Sequence, residues 1–290
     1  MKIAFAKLQI PTEGAVIVGV LEGKVLTPTA QQIDSQTGGA LMRAINASKF
    51  EGKKDQALVV LAPAGVELNR VVVLGLGKAE GIDAQAAQSL GGAALAQVSN
   101  CGDAAAAIAL DWVEGAKIDA AEFAANLAFG ARLRGYRFDK YRTMEKKEDK
   151  PSLKKLTVLT AENGAAKTAF QPLDKIADGV FLTRNLVSEP ANIIHPESFA
   201  EECKKLAELG VDVELLNEKQ MRKLGMGALL GVGQGSERES HLVIMRWNGA
   251  KDQEAAPLAL IGKGVCFDTG GISIKPAEGM EAMKWDMAGA

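Results

Sequence analysis

Short apolar runs alternate with helix-length segments through the first half of the chain, and that order admits few architectures. Ile3–Ala6, Ala15–Val20, Ala57–Ala62, Val71–Leu76 and Leu156–Leu159 are rich in Val, Ile, Leu and Ala, the residues of strands buried on both faces. Ala30–Asn46, Ile82–Val98 and Ala120–Tyr136 carry apolar residues at roughly helical spacing. Ala104–Leu110 reads either way, because its run of alanines satisfies both patterns. Such alternation predicts an α/β fold. The polar stretch from Arg137 to Lys155, centred on Lys146–Pro151, predicts a solvated loop. Ala165–Glu189 then predicts one long helix, ended by Pro190.

Beyond that helix, Glu197–Leu209 and Glu218–Leu224 predict helices, and Val211–Leu216 and Leu242–Trp247 predict strands. Leu258–Ile261 has the length and type of a further buried strand, and it leads into a turn-rich segment carrying Lys263, Asp268, Lys275 and Asp286. In an open α/β sheet, ligands sit beyond the carboxyl ends of the strands, so this is where a site is sought. Two carboxylates and two lysines brought together need something to organise them. A divalent metal would do so, since carboxylate oxygens suit Zn or Mn. A nearby dication also disfavours the ammonium form, so a lysine amine could itself be a ligand. On spacing alone, the alternative is a pair of ordinary salt bridges at a sheet edge.

The 290 residues are 47% hydrophobic and 24% charged, in the range of globular proteins. A net charge of −2 offers neither a nucleic acid nor an anionic membrane a basic stripe to bind. Three cysteines, Cys101, Cys203 and Cys266, lack metal-ligand spacing and are odd in number, which predicts reduced thiols and a cytoplasmic setting. The start, MKIAFAKLQIP, lacks the form of a signal peptide, and no apolar run has the length of a membrane span.

Other motifs carry less. Gly75-Leu76-Gly77 invites a dinucleotide reading, but the next glycine falls at Gly81, one residue too late, and a tight turn out of a strand explains it better. Gly231, Gly233 and Gly235 fit neither phosphate-binding loop and predict close backbone packing. His195 and His241 stand apart from other ligand types and predict structural or surface roles. Neither a His-Glu-x-x-His motif nor a Gly-x-Ser-x-Gly elbow is present.

GKGVCFDTGGISIKP followed by MKWDMAGA resembles the signature of the leucyl aminopeptidase (cytosol aminopeptidase) family. LVSEPAN, at Leu186–Asn192, and the segment Met226–Ser236 are also similar to that family, with Ser188 where Asn is common. The resemblance implies that Lys263, Asp268 and Asp286 are metal ligands, with Asp268 bridging two divalent ions, Mn or Zn. It implies that Lys275 is catalytic and polarises the scissile carbonyl. It further implies peptide substrates with a free amino terminus, leucine-like residues preferred, and a homohexamer. The expected layout is a smaller amino-terminal α/β domain, residues 1–161, then a long linking helix and an incomplete α/β catalytic domain within 162–290. A second metal block of the form NTDAEGRL, which supplies further ligands and an arginine, has no counterpart in these residues. The 290 residues alone are therefore expected to be inactive. A rival from another class is a non-catalytic binding or regulatory protein on the same scaffold.

Overall fold

In the computed structural model, which describes residues 1–252 and 254–290, the chain forms two units, Met1–Phe181 and Leu182–Ala290. The first is built on a seven-stranded sheet. Its strands are β1 (Lys2–Ala6), β2 (Ala15–Leu21), β3 (Val25–Leu26), β4 (Ala57–Leu61), β5 (Arg70–Gly77), β6 (Ala105–Ala109) and β7 (Lys155–Leu159). They lie in the order β1-β7-β6-β2-β5-β4, with β3 alongside β2. All pairings among β1, β7, β6, β2 and β5 are parallel; β3 and β4 are antiparallel to their neighbours. The α/β expectation is met.

Burial on both faces explains the composition. Ile17 of β2 faces one core and Val16 and Val18 the other, all fully buried. The alanine run resolves as strand from Ala105 because it lies between β2 and β7, with Ala106 and Ile108 in one core and Ala107 and Ala109 in the other. Two helices cover one face, α1 (Pro28–Gln36) and α2 (Ala40–Asn46). The expected single helix 30–46 is broken between them. Gly38 and Gly39 take φ of 60° and 85°, a left-handed stop that glycine adopts without a Cβ clash. Asp34 Oδ1 then accepts from the amides of Leu41 and Met42, at 2.8 and 3.0 Å, and starts α2.

The other face is covered by α3 (Ala84–Val98) and α4 (Ala120–Arg134), whose amino ends are capped by Asp83 and Asp119. These helices meet backbone to backbone: a methyl group at Gly91 would overlap Leu127 O, and one at Gly130 would overlap Gln88 O. Gly75 is likewise explained without a cofactor, because a Cβ there would overlap the Lys53 carbonyl. Between β2 and β6, where the connections leave for opposite faces, Asp111 accepts from Thr29 N at 2.8 Å and Thr29 Oγ1 at 2.7 Å in the first turn of α1. At the opposite strand ends, Asp103 is buried and accepts from Asn69, from Arg70 Nε at 3.0 Å and from Cys101 Sγ at 3.2 Å. Helix α5 (Asn163–Ser188) begins in the first unit and ends in the second, just before Pro190.

The second unit holds α6 (Pro196–Lys204), α7 (Glu218–Lys223), α8 (Gly227–Gly233) and an antiparallel ribbon of β8 (Asp212–Leu216) and β9 (Leu242–Arg246). Arg246 of β9 bridges Asp212 and Glu214 of β8, at 3.3 and 2.8 Å. The buried strand expected at Leu258–Ile261 is absent. That segment is extended chain with Leu258 86%, Leu260 88% and Ile261 98% exposed. A strand exists by pairing, and among the described residues this one has no neighbour to pair with. The expectation for the Met226–Ser236 glycines also needs correction. A Cβ at Gly231 or Gly235 would meet open space, and only Gly233 is approached closely, by the Ser240 hydroxyl. Most of that segment is α8, a short helix with Val232 exposed on it.

Candidate active site

Two segments of the second unit carry the four residues singled out above. One runs from Gly262 to Lys275; the other is a 3₁₀ helix, Met280–Met287, continuing to Ala290. A small core joins them, in which Cys266 and Met287 are buried with Ile194 against Leu186, Val187 and Phe199. Cys266 lies two residues before Asp268, and Met287 one after Asp286. The same apolar cluster therefore anchors both acids. The backbones also touch: a Cβ at Gly262 would overlap Ala290 Cα.

Within the first segment, Gly270 at φ 94° reverses the chain, and a Cβ on it would overlap Ser273 O. The Lys275 amide then donates to Thr269 O at 3.0 Å, and an isolated bridge joins Gly270 to Ile274. This turn folds Lys275 back onto Asp268. Lys275 Nζ lies 3.1 Å from Asp268 Oδ2, and the Gly270 amide donates to Asp268 Oδ1 at 2.8 Å. Across the two segments, Lys263 Nζ lies 3.0 Å from Asp286 Oδ1.

The Gly270 amide and then the Lys275 ammonium hold the Asp268 carboxyl below the usual carboxylate range, and the Lys263 charge adds to this. Lys263, although paired with Asp286, thus also acts on Asp268 through its charge. Both pairs remain open to water, the Lys263–Asp286 side chains at 61% and 41% exposure and the Lys275–Asp268 side chains at 35% and 38%. The arrangement is a solvent-facing alternation of two anions and two cations. It is the pair of salt bridges that spacing allowed. Among the described residues, no group of three or more His, Cys, Asp or Glu side chains is placed to hold a metal ion.

The histidines lie outside this group of contacts. The His195 amide donates to Ser198 Oγ at 3.0 Å at the start of α6, and His241 Nδ1 contacts Glu239 O at 3.1 Å. All three cysteines are free thiols. One contact was not anticipated: Lys284 Nζ donates to Ser188 O, the last carbonyl of α5, at 2.9 Å. Its only sequence signal is a position two residues before Asp286.

Models of the cytosol aminopeptidase family match the chain twice, the N-terminal domain over residues 17–145 and the catalytic domain over 181–290. The chain belongs to the cytosol aminopeptidase family. A "Probable cytosol aminopeptidase" of Caulobacter vibrioides is 50% identical over 292 residues, covering 100% of this chain and 58% of that protein. One from Chelativorans sp. is 46% identical, covering 99% and 57%. Among solved structures, a tomato leucine aminopeptidase mutant superposes with TM-score 0.83 at 28% identity, covering 100% of this chain and 57% of that one. The bottromycin maturation enzyme BotP in complex with Mn gives 0.68 at 27% identity, covering 95% and 53%. The chain thus spans little more than half the length of these cytosol aminopeptidase relatives. Among its described residues, no helix is long and apolar enough to cross a membrane.

Proposed function

We propose that this chain carries the amino-terminal domain, within 1–161, and the linking helix and first part of the catalytic domain, within 162–290, of a metal-dependent aminopeptidase. The whole protein would release amino-terminal residues, leucine-like ones preferred, from peptides in the cytoplasm, and would assemble as a homohexamer. Family membership supports this reading. The observation that carries it is local: Lys263 and Asp286 sit 3.0 Å apart, and the Lys263 charge reaches Asp268.

The donor chemistry fits a divalent ion. Asp268 is kept ionised by Gly270 and Lys275, and Asp286 already faces a cation, so each carboxylate stands where a dication would compete with an ammonium. Lys263, Asp268 and Asp286 would hold the metal, Lys263 through a neutral amine and Asp268 as the bridge of a two-ion site, with Mn or Zn the ions in question. When bound, such ions supply an acidified water and electrophilic assistance. These three residues make at most one partial site.

The chain's own contribution to chemistry is Lys275. Held by its turn and by Asp268, it presents a fixed cation to the carbonyl oxygen of a bound peptide, where charge develops on attack. Without metal, Asp268 orients that ammonium and the Gly270 amide orients Asp268; with metal bound, the turn at Gly270 is what keeps Lys275 beside the site.

Two measurements test the reading. Mn2+ titration of the 290-residue chain, followed by the loss of the free-ion spin-resonance signal, should show weak binding that Asp268→Asn and Asp286→Asn each abolish. Absence of binding, or binding unaffected by both changes, would count against it. Leucine p-nitroanilide with Mn or Zn should give no significant turnover by the 290 residues alone, and clear turnover would overturn that part of the proposal.

A further inference from the structure

The site's ligand-bearing 3₁₀ helix is fixed to α5 at two points. Met287 is an apolar plug, buried with Cys266 and Ile194 against Leu186 and Val187 near the end of α5. Lys284 is a polar one, its ammonium 2.9 Å from Ser188 O. These contacts differ in kind. Apolar burial is non-directional, so Met287 sets the depth of the segment but not its rotation. A hydrogen bond from a cation to a carbonyl is directional and sets the rotation.

The acceptor is well chosen. Ser188 closes α5, and the last carbonyls of a helix lack partners within it and carry the negative end of its dipole. In a 3₁₀ helix of 3.0 residues per turn, positions two apart point to different sides. Lys284 can therefore face α5 while Asp286 faces Lys263, and both contacts are made at once.

We propose that Lys284 is a positioning residue: by tying the 3₁₀ helix to the carbonyl end of α5, it sets Asp286 against Lys263. Its contact is with the Ser188 carbonyl. The metal-site consequence rests on Asp286 being a ligand, as argued above; the placement of Asp286 does not.

Zero-length carbodiimide coupling of the metal-free 290-residue chain reads that placement directly, because it joins amine and carboxylate only when they are in contact. Peptide mass spectrometry should find a Lys263–Asp286 amide and, as an internal reference, a Lys275–Asp268 amide. In Lys284→Met the Lys263–Asp286 amide should fall about fivefold or more relative to the reference, and Lys284→Arg, which can still donate to Ser188 O, should restore it. Equal retention of both amides in Lys284→Met, joint loss of both, or failure of Arg to restore the first would overturn the proposal. Mn2+ titration of the same proteins separates the two readings. If wild type binds, Lys284→Met should bind roughly tenfold more weakly, as when the support of a metal ligand is removed, and Lys284→Arg close to wild type. Unchanged Mn2+ affinity in Lys284→Met would overturn a role at the metal site. A wild type that binds no Mn2+ but shows the selective amide loss would sink the metal assignment and leave Lys284 as the residue that places Asp286.

Discussion

Gly262 and Ala290 meet backbone to backbone, with no room for a Cβ on Gly262 against Ala290 Cα. The residue next to Lys263 thereby sets how closely the two arms of the site approach.

Gly262→Val should force those arms apart. Overpacking of this kind costs about 1–3 kcal/mol, here confined to the second unit. Amide exchange in 262–290 should accelerate and the Lys263–Asp286 coupling should fail, while the first unit melts at its wild-type temperature. Retention of the coupling at wild-type yield would contradict the packing.

The buried Asp103 should give the first unit a measurable acid dependence. Burial raises its carboxyl pKa, but hydrogen bonds from Asn69, Cys101 and Arg70 outweigh this and leave it lowered from 3.8. A lowered folded-state value means stability that is fully present at neutral pH and lost as pH falls below about 4 through the folded value. Asp103→Asn should cost about 2 kcal/mol at pH 7, and the difference from wild type should shrink as pH drops towards 3. Urea titrations at pH 7 and pH 3 check this; a constant difference would refute the assignment.

Cys266 should resist thiol reagents in the folded chain. Burial pushes its thiol up to about 11, so little thiolate exists at pH 8. Ellman's reagent should label Cys101 and Cys203 first, with Cys266 at least about tenfold slower until urea is added. Comparable native rates for all three would mean that the small core beneath the site is open.

Leu258, Leu260 and Ile261 present contiguous apolar side chains to water. The 290-residue chain should bind hydrophobic dyes and self-associate at micromolar concentration. Replacing Leu260 and Ile261 by Lys should reduce both without lowering the melting temperature of the first unit. Unchanged self-association would place its cause elsewhere.

Sequence reading served the first unit well for a physical reason. Strands such as Ala15–Leu21 and Arg70–Gly77 are buried on both faces, so their composition alone reports their environment. It failed at Leu258–Ile261, where the composition is the same but a strand also needs neighbours, which composition does not report. The break at Gly38-Gly39 is written in the chain, but apolar spacing on either side mimics one helix. At the site, the pairing of Lys263 with Asp286 and Lys275 with Asp268 depends on the turn at Gly270 and on two segments meeting, and spacing showed neither. Lys284 was invisible because its partner is a backbone carbonyl, which carries no residue identity.

The contact between Asp111 and Thr29 closes a door that the sheet order leaves open. The gap between β2 and β6, below the first turn of α1, is where sheets of this kind commonly cradle a phosphate. Here the protein's own carboxylate fills that anion seat, so an incoming nucleotide would meet like charge instead of free amides. The first unit is in this respect a tenanted scaffold, and adenine dinucleotides should leave its melting temperature unmoved.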